Sequence, residues 1–361
     1  MNFKDISRVR LFTQQIAEPK FNNAKDIVSW MGAMQAQDLN MAKLAVGIRL
    51  PNSTDKLIET AIDNSEILRT HLLRPTWHFV SPDDIYWMLD LTAPQIKAVT
   101  KSRDKNLELN EIIYRKSNSI IEKALADGRH LTRDELAAKL EKANIITDNN
   151  RASHLMLRAE LDGIICSGKI KNKKQTYALL SDRVPKTKTL KRDEALAQLA
   201  LKYFTSHCPA TLQDFCWWSG LSITDSKHAL EMVKSNFVSE TIGRQTYWFT
   251  DAFSFPRLEK DSAYLVPAYD EFIISYRDRT ASLPFENHKK AVSNNGIFRP
   301  IIVINGQVSG LWRRTTKKEE VIVETEFFRV HKKSEKELIN NAVEKIEKFL
   351  SKKVKVVHPV N

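Results

Sequence analysis

Leu131-Thr132-Arg133-Asp134-Glu135-Leu136-Ala137-Ala138-Lys139-Leu140 opens the unit on which the reading of the fold turns. Thr132 can cap a helix, Glu135 stands three residues on as a capping-box partner, and apolar residues follow at helical spacing. A second helix, Arg151 to Leu161, comes next and is broken by Asp162-Gly163. Ile164-Ile165-Cys166, Lys169-Ile170 and Thr176-Tyr177-Ala178-Leu179-Leu180 then read as strands around the basic turn Lys171-Asn172-Lys173-Lys174. Helix, turn, helix and basic hairpin is the winged-helix variant of helix-turn-helix: its second helix can enter a major groove and its hairpin can touch phosphate.

That order recurs. Pro209-Ala210-Thr211 leads into a helix through Trp218, Thr224 caps another to about Val233, and strands Phe237 to Ile242 and Thr246 to Thr250 flank Gly243-Arg244-Gln245. Both units close on one tripeptide, Gln175-Thr176-Tyr177 and Gln245-Thr246-Tyr247. A more diverged third copy precedes them. Asn23-Ala24-Lys25-Asp26 begins a helix expected to run through a glutamine pair at Gln35 and Gln37, Ser53 to Asn64 forms another, and Ile67 to Leu72 and Thr76 to Val80 bracket a turn at Arg74-Pro75. Asp83 to Leu91 starts a connecting helix.

Beyond about Phe255 the texture turns to β, with Tyr264 to Pro267, Phe272 to Ile274, Pro300 to Ile304, Gln307 to Trp312 and Val321 to Phe328 as strand-like runs, and Asn305-Gly306 as a strong hairpin signal. Glu335 to Leu350 reads as a helix closing that region. The expected fold is α+β: winged helices over 1–95, 96–185 and 186–255, then a small C-terminal β-barrel or sheet with its closing helix over 256–361.

Composition frames the partner. A formal charge of +12 on 361 residues favours nucleic acid or another polyanion, although membrane-surface proteins share the sign. The N-terminus has no uninterrupted apolar segment of the secretory type, and no run is long enough to span a membrane, so a cytoplasmic location is expected. Cys166, Cys208 and Cys216 are too sparse for a disulfide framework or a zinc site; neither metal nor cofactor is expected. Gly163 to Lys169 matches Gly-x4-Gly-Lys, but Ile170 stands where a magnesium-binding hydroxyl belongs and a helix precedes the loop, so it carries no phosphate chemistry.

Met34-Gln35-Ala36-Gln37-Asp38 puts two side-chain amides one residue apart after the largely apolar run Ile27 to Met34. An unbonded buried amide costs about 1–3 kcal/mol, so the pair is either satisfied by neighbouring backbone or faces a cleft that binds something polar. Trp30 to Asp38, Leu73 to Val80, Leu265 to Glu271 with Tyr276 to Arg279, and Gly306 to Thr315 together resemble the AlkZ/YcaQ-like winged-helix DNA glycosylases, in the same order over most of the chain.

The resemblance implies a C-shaped molecule whose basic concave face holds double-stranded DNA carrying alkylated or crosslinked purines. It implies a glycosylase for N7-alkylated purines, some members of the family also unhooking interstrand crosslinks; with no lysine nucleophile at the motif the enzyme is expected to be monofunctional, and it is expected to act as a monomer without cofactor. The family's Gln-aliphatic-Gln/Asp motif falls on Gln35, Ala36 and Gln37, while Asp38 stands one residue too late for the aspartate of the other branch. Amides can stabilise an oxocarbenium-like sugar and orient water but cannot act as general bases near neutral pH. His78 either supports the site, through phosphate or water, or is a strand histidine satisfied by backbone. Trp77 either stacks on a base or fills the core. Arg74, Lys171, Lys173, Lys174 and Arg244 fall at wing tips suited to phosphate. Arg277, Asp278, Arg279, Arg313 and Arg314 could form an ion-pair network or touch the DNA backbone, whereas Asp270 and Glu271, as adjacent strand residues, would point to opposite faces. The competing reading is a non-catalytic DNA-binding protein such as a transcription factor, with a protein-assembly scaffold behind it.

Overall fold

The Thr132 hydroxyl accepts from the Glu135 N–H while the Glu135 carboxylate accepts from the Thr132 N–H, and helix Arg133–Lys142 starts on that capping box. This computed structural model describes residues 3–186, 189–250, 261–318, 320–330 and 332–357. Helix Glu111–Leu125 precedes the capping box and helix Arg151–Leu161 follows it. Strands Leu131–Thr132, Ile165–Ser167 and Thr176–Leu179 form a sheet whose last strand lies between the other two. The N-terminal unit has the same order: helix Ala24–Met31, strand Ala33–Gln35, helices Leu39–Gly47 and Asp55–Asp63, strands Leu68–Leu72 and Thr76–Val80, again with the last strand central. In the unit after Arg192–Ser206, with helices Leu212–Ser219 and Ile223–Val233 and hairpin Val238–Ile242 and Gln245–Phe249, the first strand shrinks to one bridge, Ala210 with Trp248. Tyr177 and Tyr247 of the repeated tripeptide are both buried, which gives the repeat a packing reason.

Several expectations shift. The helix begun at Asn23 stops at Met31 because Gly32 takes φ +75°, so the glutamine pair sits in a strand and the link after it rather than at a helix end. Ser222, not Thr224, caps helix Ile223–Val233. The connecting helix runs much further, Ile85–Asn106. No residue of Arg151–Leu161 is exposed, since Leu157 and Leu161 pack on Ala93 and Ile96 and Glu160 bonds His71; that helix is covered and cannot enter a groove.

The C-terminal region is one five-stranded sheet in the order Lys353–Val357, Glu320–Phe327, Gln307–Thr316, Ile301–Ile304, Ala263–Val266. Among the described residues its two end strands do not pair, so the five strands form an open sheet rather than a closed barrel. Asn305 and Gly306 make the expected tight turn, with φ +52° and +83°. Phe272-Ile273-Ile274 is helical, not extended, because the Asp270 carboxylate accepts from the Phe272 N–H and starts the turn Glu271–Ile274. The strand Lys353–Val357, parallel to Glu320–Phe327, had no counterpart in the sequence reading. The expected boundary at 255–256 lies outside the described residues.

One core joins the N-terminal unit to this sheet: Val28, Met34 and Phe79 pack with Ile302, Trp312 and Val323, and helix Lys333–Leu350 adds Ile346 and Phe349. Gly47 is required there, since a Cβ at that position would lie 2.3 Å from the Phe349 ring. A second core joins the hairpin of the same unit to the helices Arg192–Ser206 and Leu212–Ser219 through Leu72, Leu73, Tyr203 and Trp218. The N-terminal unit is thereby held on two sides, and the glutamine segment lies where those contacts converge.

Candidate active site

Gly32 releases the chain from its helix and Asp38, whose Oδ1 accepts from the Asn40 and Met41 N–H groups at 3.0 Å each, starts the next one. Between them, Ala33–Gln35 is strand and Ala36 and Gln37 link it to the next helix. Gln35 faces His78 across the strand pair, and the Ala36 N–H donates to Trp77 O at 2.7 Å. Arg69, buried on strand Leu68–Leu72, donates from Nε to Ala36 O at 2.8 Å and from Nη2 to Gln37 O at 3.3 Å. The segment is therefore clamped from behind, which is how a site on a link gains the precision of a rigid element. The two amides differ sharply: Gln35 is buried and Gln37 is exposed.

Glu271 completes the clamp. Its Oε1 accepts from the Gln35 N–H at 2.5 Å, and its Oε2 accepts from Trp218 Nε1 at 3.2 Å and from the Ser275 hydroxyl. His207 Nε2 stands 3.6 Å from Oε2. Burial pushes this carboxyl's pKa up, but His207, Ser275 and the Gln35 N–H outweigh burial and hold it well below the usual carboxylate range, so it is ionised at neutral pH. Asp270 beside it points elsewhere, into a two-pronged pair with Arg49. The expectation that these neighbours diverge holds, though on a helical turn rather than a strand.

Arg74 is not at an exposed wing tip. It is half-buried, its Nη2 donates to Gln35 Oε1 at 2.9 Å, and its Nε has no partner among the described residues. Burial lowers its pKa and Glu271 opposes that shift. His78 is fully buried, so phosphate contact is closed to it. Its Nδ1–H donates to Thr76 O at 2.9 Å, leaving Nε2 as an acceptor without a partner among the described residues. Burial, then the Arg74 charge, lowers its pKa from 6.5 to about 3. A buried imidazole with its folded pKa below its unfolded one contributes stability that is complete above the unfolded value and lost as pH falls from 6.5 towards 3. Between about pH 7 and 5 that loss is about 2 kcal/mol, so the pH slope of urea stability should flatten by that amount in His78→Phe; an unchanged slope would rule the imidazole out as its source.

The sequence model of the family described as DNA glycosylase AlkZ-like matches residues 28–349. The chain belongs to the AlkZ-like DNA glycosylase family. It is 24% identical over 322 residues to the interstrand DNA cross-link repair glycosylase of Streptomyces sahachiroi, covering 83% of this chain and 84% of that one. Its fold superposes on the structure of Streptomyces sahachiroi DNA glycosylase AlkZ with a TM-score of 0.81 at 18% identity, over 99% of this chain and all of that one (100%). An AlkZ-like glycosylase is an enzyme, which decides against the non-catalytic reading.

The remaining expected residues of this AlkZ-like chain divide into three groups. Trp77 is half-buried between the His71 ring at 4.4 Å and the Arg69 guanidinium at 4.4 Å, so it packs internally. Lys171 and Lys174 are exposed and reach Glu135 at 3.1 Å and Asp134 at 4.0 Å. Lys173 and Arg314 come together with Lys43, Lys352, Asp55 and Glu59 around a cavity of about 350 Å³ beside Asn40; Arg244 lines a different one with Gln213 and Lys227. The anticipated five-residue ion network does not form among the described residues. Arg313 pairs with Glu324 within the sheet at 2.8 Å, while Asp278 accepts from Gln245 Nε2 at 3.0 Å and ties the third hairpin to the link between sheet strands Ala263–Val266 and Ile301–Ile304. Arg69 and Trp218 were missed, and Glu271 was weighed only as half of a carboxylate pair on a strand. Only Glu271 had a legible signal: the run Pro267-Ala268-Tyr269-Asp270 reads as a turn ending in a helix cap, with Glu271 at the first helical position.

Proposed function

We propose that this AlkZ-like enzyme hydrolyses the N-glycosidic bond of N7-alkylated purines in double-stranded DNA, including purines joined in interstrand crosslinks, with Gln35 and Gln37 as the catalytic amides. The observation that carries the reading is that, among the described residues, no group around the motif holds a proton to give. Glu271 is ionised, His78 is neutral with only an acceptor nitrogen open, and Asp38 is engaged as a helix cap. An unmodified purine needs protonation to leave, whereas one alkylated at N7 already carries the positive charge that protonation would supply.

In the reaction the C1′–N9 bond breaks with its electron pair passing to the alkylated base, which leaves neutral. Water oxygen bonds to C1′ and its proton passes to solvent. The second lone pair of Gln35 Oε1 and the exposed Gln37 amide are suited to steady the sugar cation and orient that water. Among the described residues no lysine is free at the motif: Lys43 Nζ is on Asp55 at 2.8 Å and Lys202 Nζ is on Ser29 and Asp84. The product is therefore an abasic site without Schiff-base strand cleavage.

The repeated helix-strand-helix-helix-hairpin units are winged helices in this reading, and their wings with Lys171, Lys173, Lys174 and Arg244, together with Arg313 and Arg314 of the C-terminal sheet, follow the DNA backbone. The crosslink substrate is supported by the printed activity of the Streptomyces sahachiroi relative and by the open exposure of Gln37. Purified protein should release the modified base from duplexes carrying N7-methylguanine and unhook an N7-linked crosslink, leaving uracil and normal bases in place. Release of neither alkylated substrate, or equal release of uncharged bases, would overturn the reading.

A further inference from the structure

Trp217 is 41% exposed yet rigidly set, its Nε1–H donating to Ile274 O at 2.8 Å. Two guanidinium groups stand at this one ring, Arg74 with Cζ 5.6 Å from the centroid and Arg279 with Cζ 5.3 Å from it. Neither forms an ion pair with a carboxylate within 4.0 Å among the described residues, although both are half-buried. Arg279 spends Nε on Ile273 O and Nη1 on Arg277 O, and Arg74 spends Nη2 on Gln35 Oε1 while its unpartnered Nε is buried, which leaves Nη2 of Arg279 and Nη1 of Arg74 to meet a ligand. Two cations without a direct counter-ion share one aromatic and repel each other in a low-dielectric setting; Glu271 and Asp214 offset this only from a distance, and an anion with several acceptor oxygens relieves it by joining both. A phosphodiester fits in charge and in having an acceptor oxygen for each of the two arginines, and the exposed indole offers its sugar or base a surface.

We propose that Arg74, Arg279 and Trp217 form the subsite for the phosphodiester flanking the damaged nucleotide, with Arg74 bridging that phosphate to Gln35. The inference rests on the glycosylase reading and deepens it. Arg74 can donate to phosphate from Nη1 while keeping Nη2 on the amide, so strand binding fixes the orientation of Gln35 in the same act. The subsite also explains why an arginine expected at a wing tip is drawn inward against the third unit.

The test uses the full chain and binding alone. Duplexes carry one tetrahydrofuran abasic-site analogue and a single neutral methylphosphonate, moved one linkage at a time around it. Neutralising one flanking linkage should weaken wild-type binding by about tenfold, the scale of a charge-assisted hydrogen bond, and Arg279→Gln should show the same loss on all-phosphate DNA with nothing further on that neutralised linkage. Trp217→Ala should weaken binding through the same linkage. Should Arg279→Gln melt early, Arg279→Lys carries the same cycle, with a smaller loss that again disappears on that linkage. Strictly additive losses at every linkage, or no sensitive flanking linkage, would overturn the subsite. Because the analogue has no glycosidic bond to cleave, this result is independent of whether alkylated purines are excised, so the two readings fail separately.

Discussion

Asp270→Ala should cost this protein about 3–5 kcal/mol, the penalty for leaving a buried arginine without its counter-ion. Arg49 uses all its donors: Nη1 and Nη2 on the two Asp270 oxygens at 2.7 and 2.8 Å, Nε on Gln14 O at 2.9 Å, Nη1 again on Ala45 O and Nη2 again on Gln14 Oε1. Both side chains are buried, at 0% and 1% exposure, so water cannot take over the orphaned charge. The pair reaches from the turn after helix Leu39–Gly47 to the turn before Glu271 and, through Gln14, to the segment after helix Phe3–Thr13, and Gln14 Nε2 goes on to Tyr276 OH at 2.8 Å. Urea unfolding of Asp270→Ala, Arg49→Met and the double variant checks it. The double variant should be less destabilised than the sum of the singles, because removing both charges removes the orphan; simple additivity would show that the pair is not coupled.

How far this arrangement could be read in advance depended on whether a feature was local. Thr132 with Glu135, the Asn305-Gly306 turn and the Gln175-Thr176-Tyr177 repeat are decided within a few residues, and each has the role its neighbours imply. The helix end at Met31 was misjudged because Gly32 was read as part of an apolar run, although only a residue tolerant of positive φ could stop the helix there. Glu271, Arg69 and Arg74 owe their positions to partners at separations of 236, 33 and 39 residues, and no periodicity carries that information. Arg74 shows the limit most clearly. A turn arginine beside proline reads as solvated, and only the third unit's approach, where a Cβ on Gly220 would lie 2.4 Å from Leu73 O, encloses it.

Because that enclosure fixes Gln35 from two sides, loss of the Glu271 charge should be felt in the rate more than in the affinity. Glu271→Gln keeps the volume but turns a pure acceptor into a group with its own N–H donors, facing the Gln35 N–H, Trp218 Nε1–H and the Ser275 hydroxyl. At least one donor then meets a donor, and the strand carrying Gln35 shifts relative to Arg74. Displacement of a catalytic group by about 1 Å costs about 10²-fold, so single-turnover excision of N7-methylguanine should fall by that order, while Kd for the same duplex changes by less than about threefold. Glu271→Asp, which keeps the charge on a shorter arm, should recover part of the rate. Gln35→Ala should lose about 10²–10³-fold, the scale of removing one preorganised group at a developing charge, and adding Glu271→Gln to it should cost little more, since the carboxylate acts through the residue already removed. A Glu271→Gln variant whose affinity and rate fell together, or whose loss multiplied that of Gln35→Ala, would place the carboxylate in general folding instead of in the positioning of the amide.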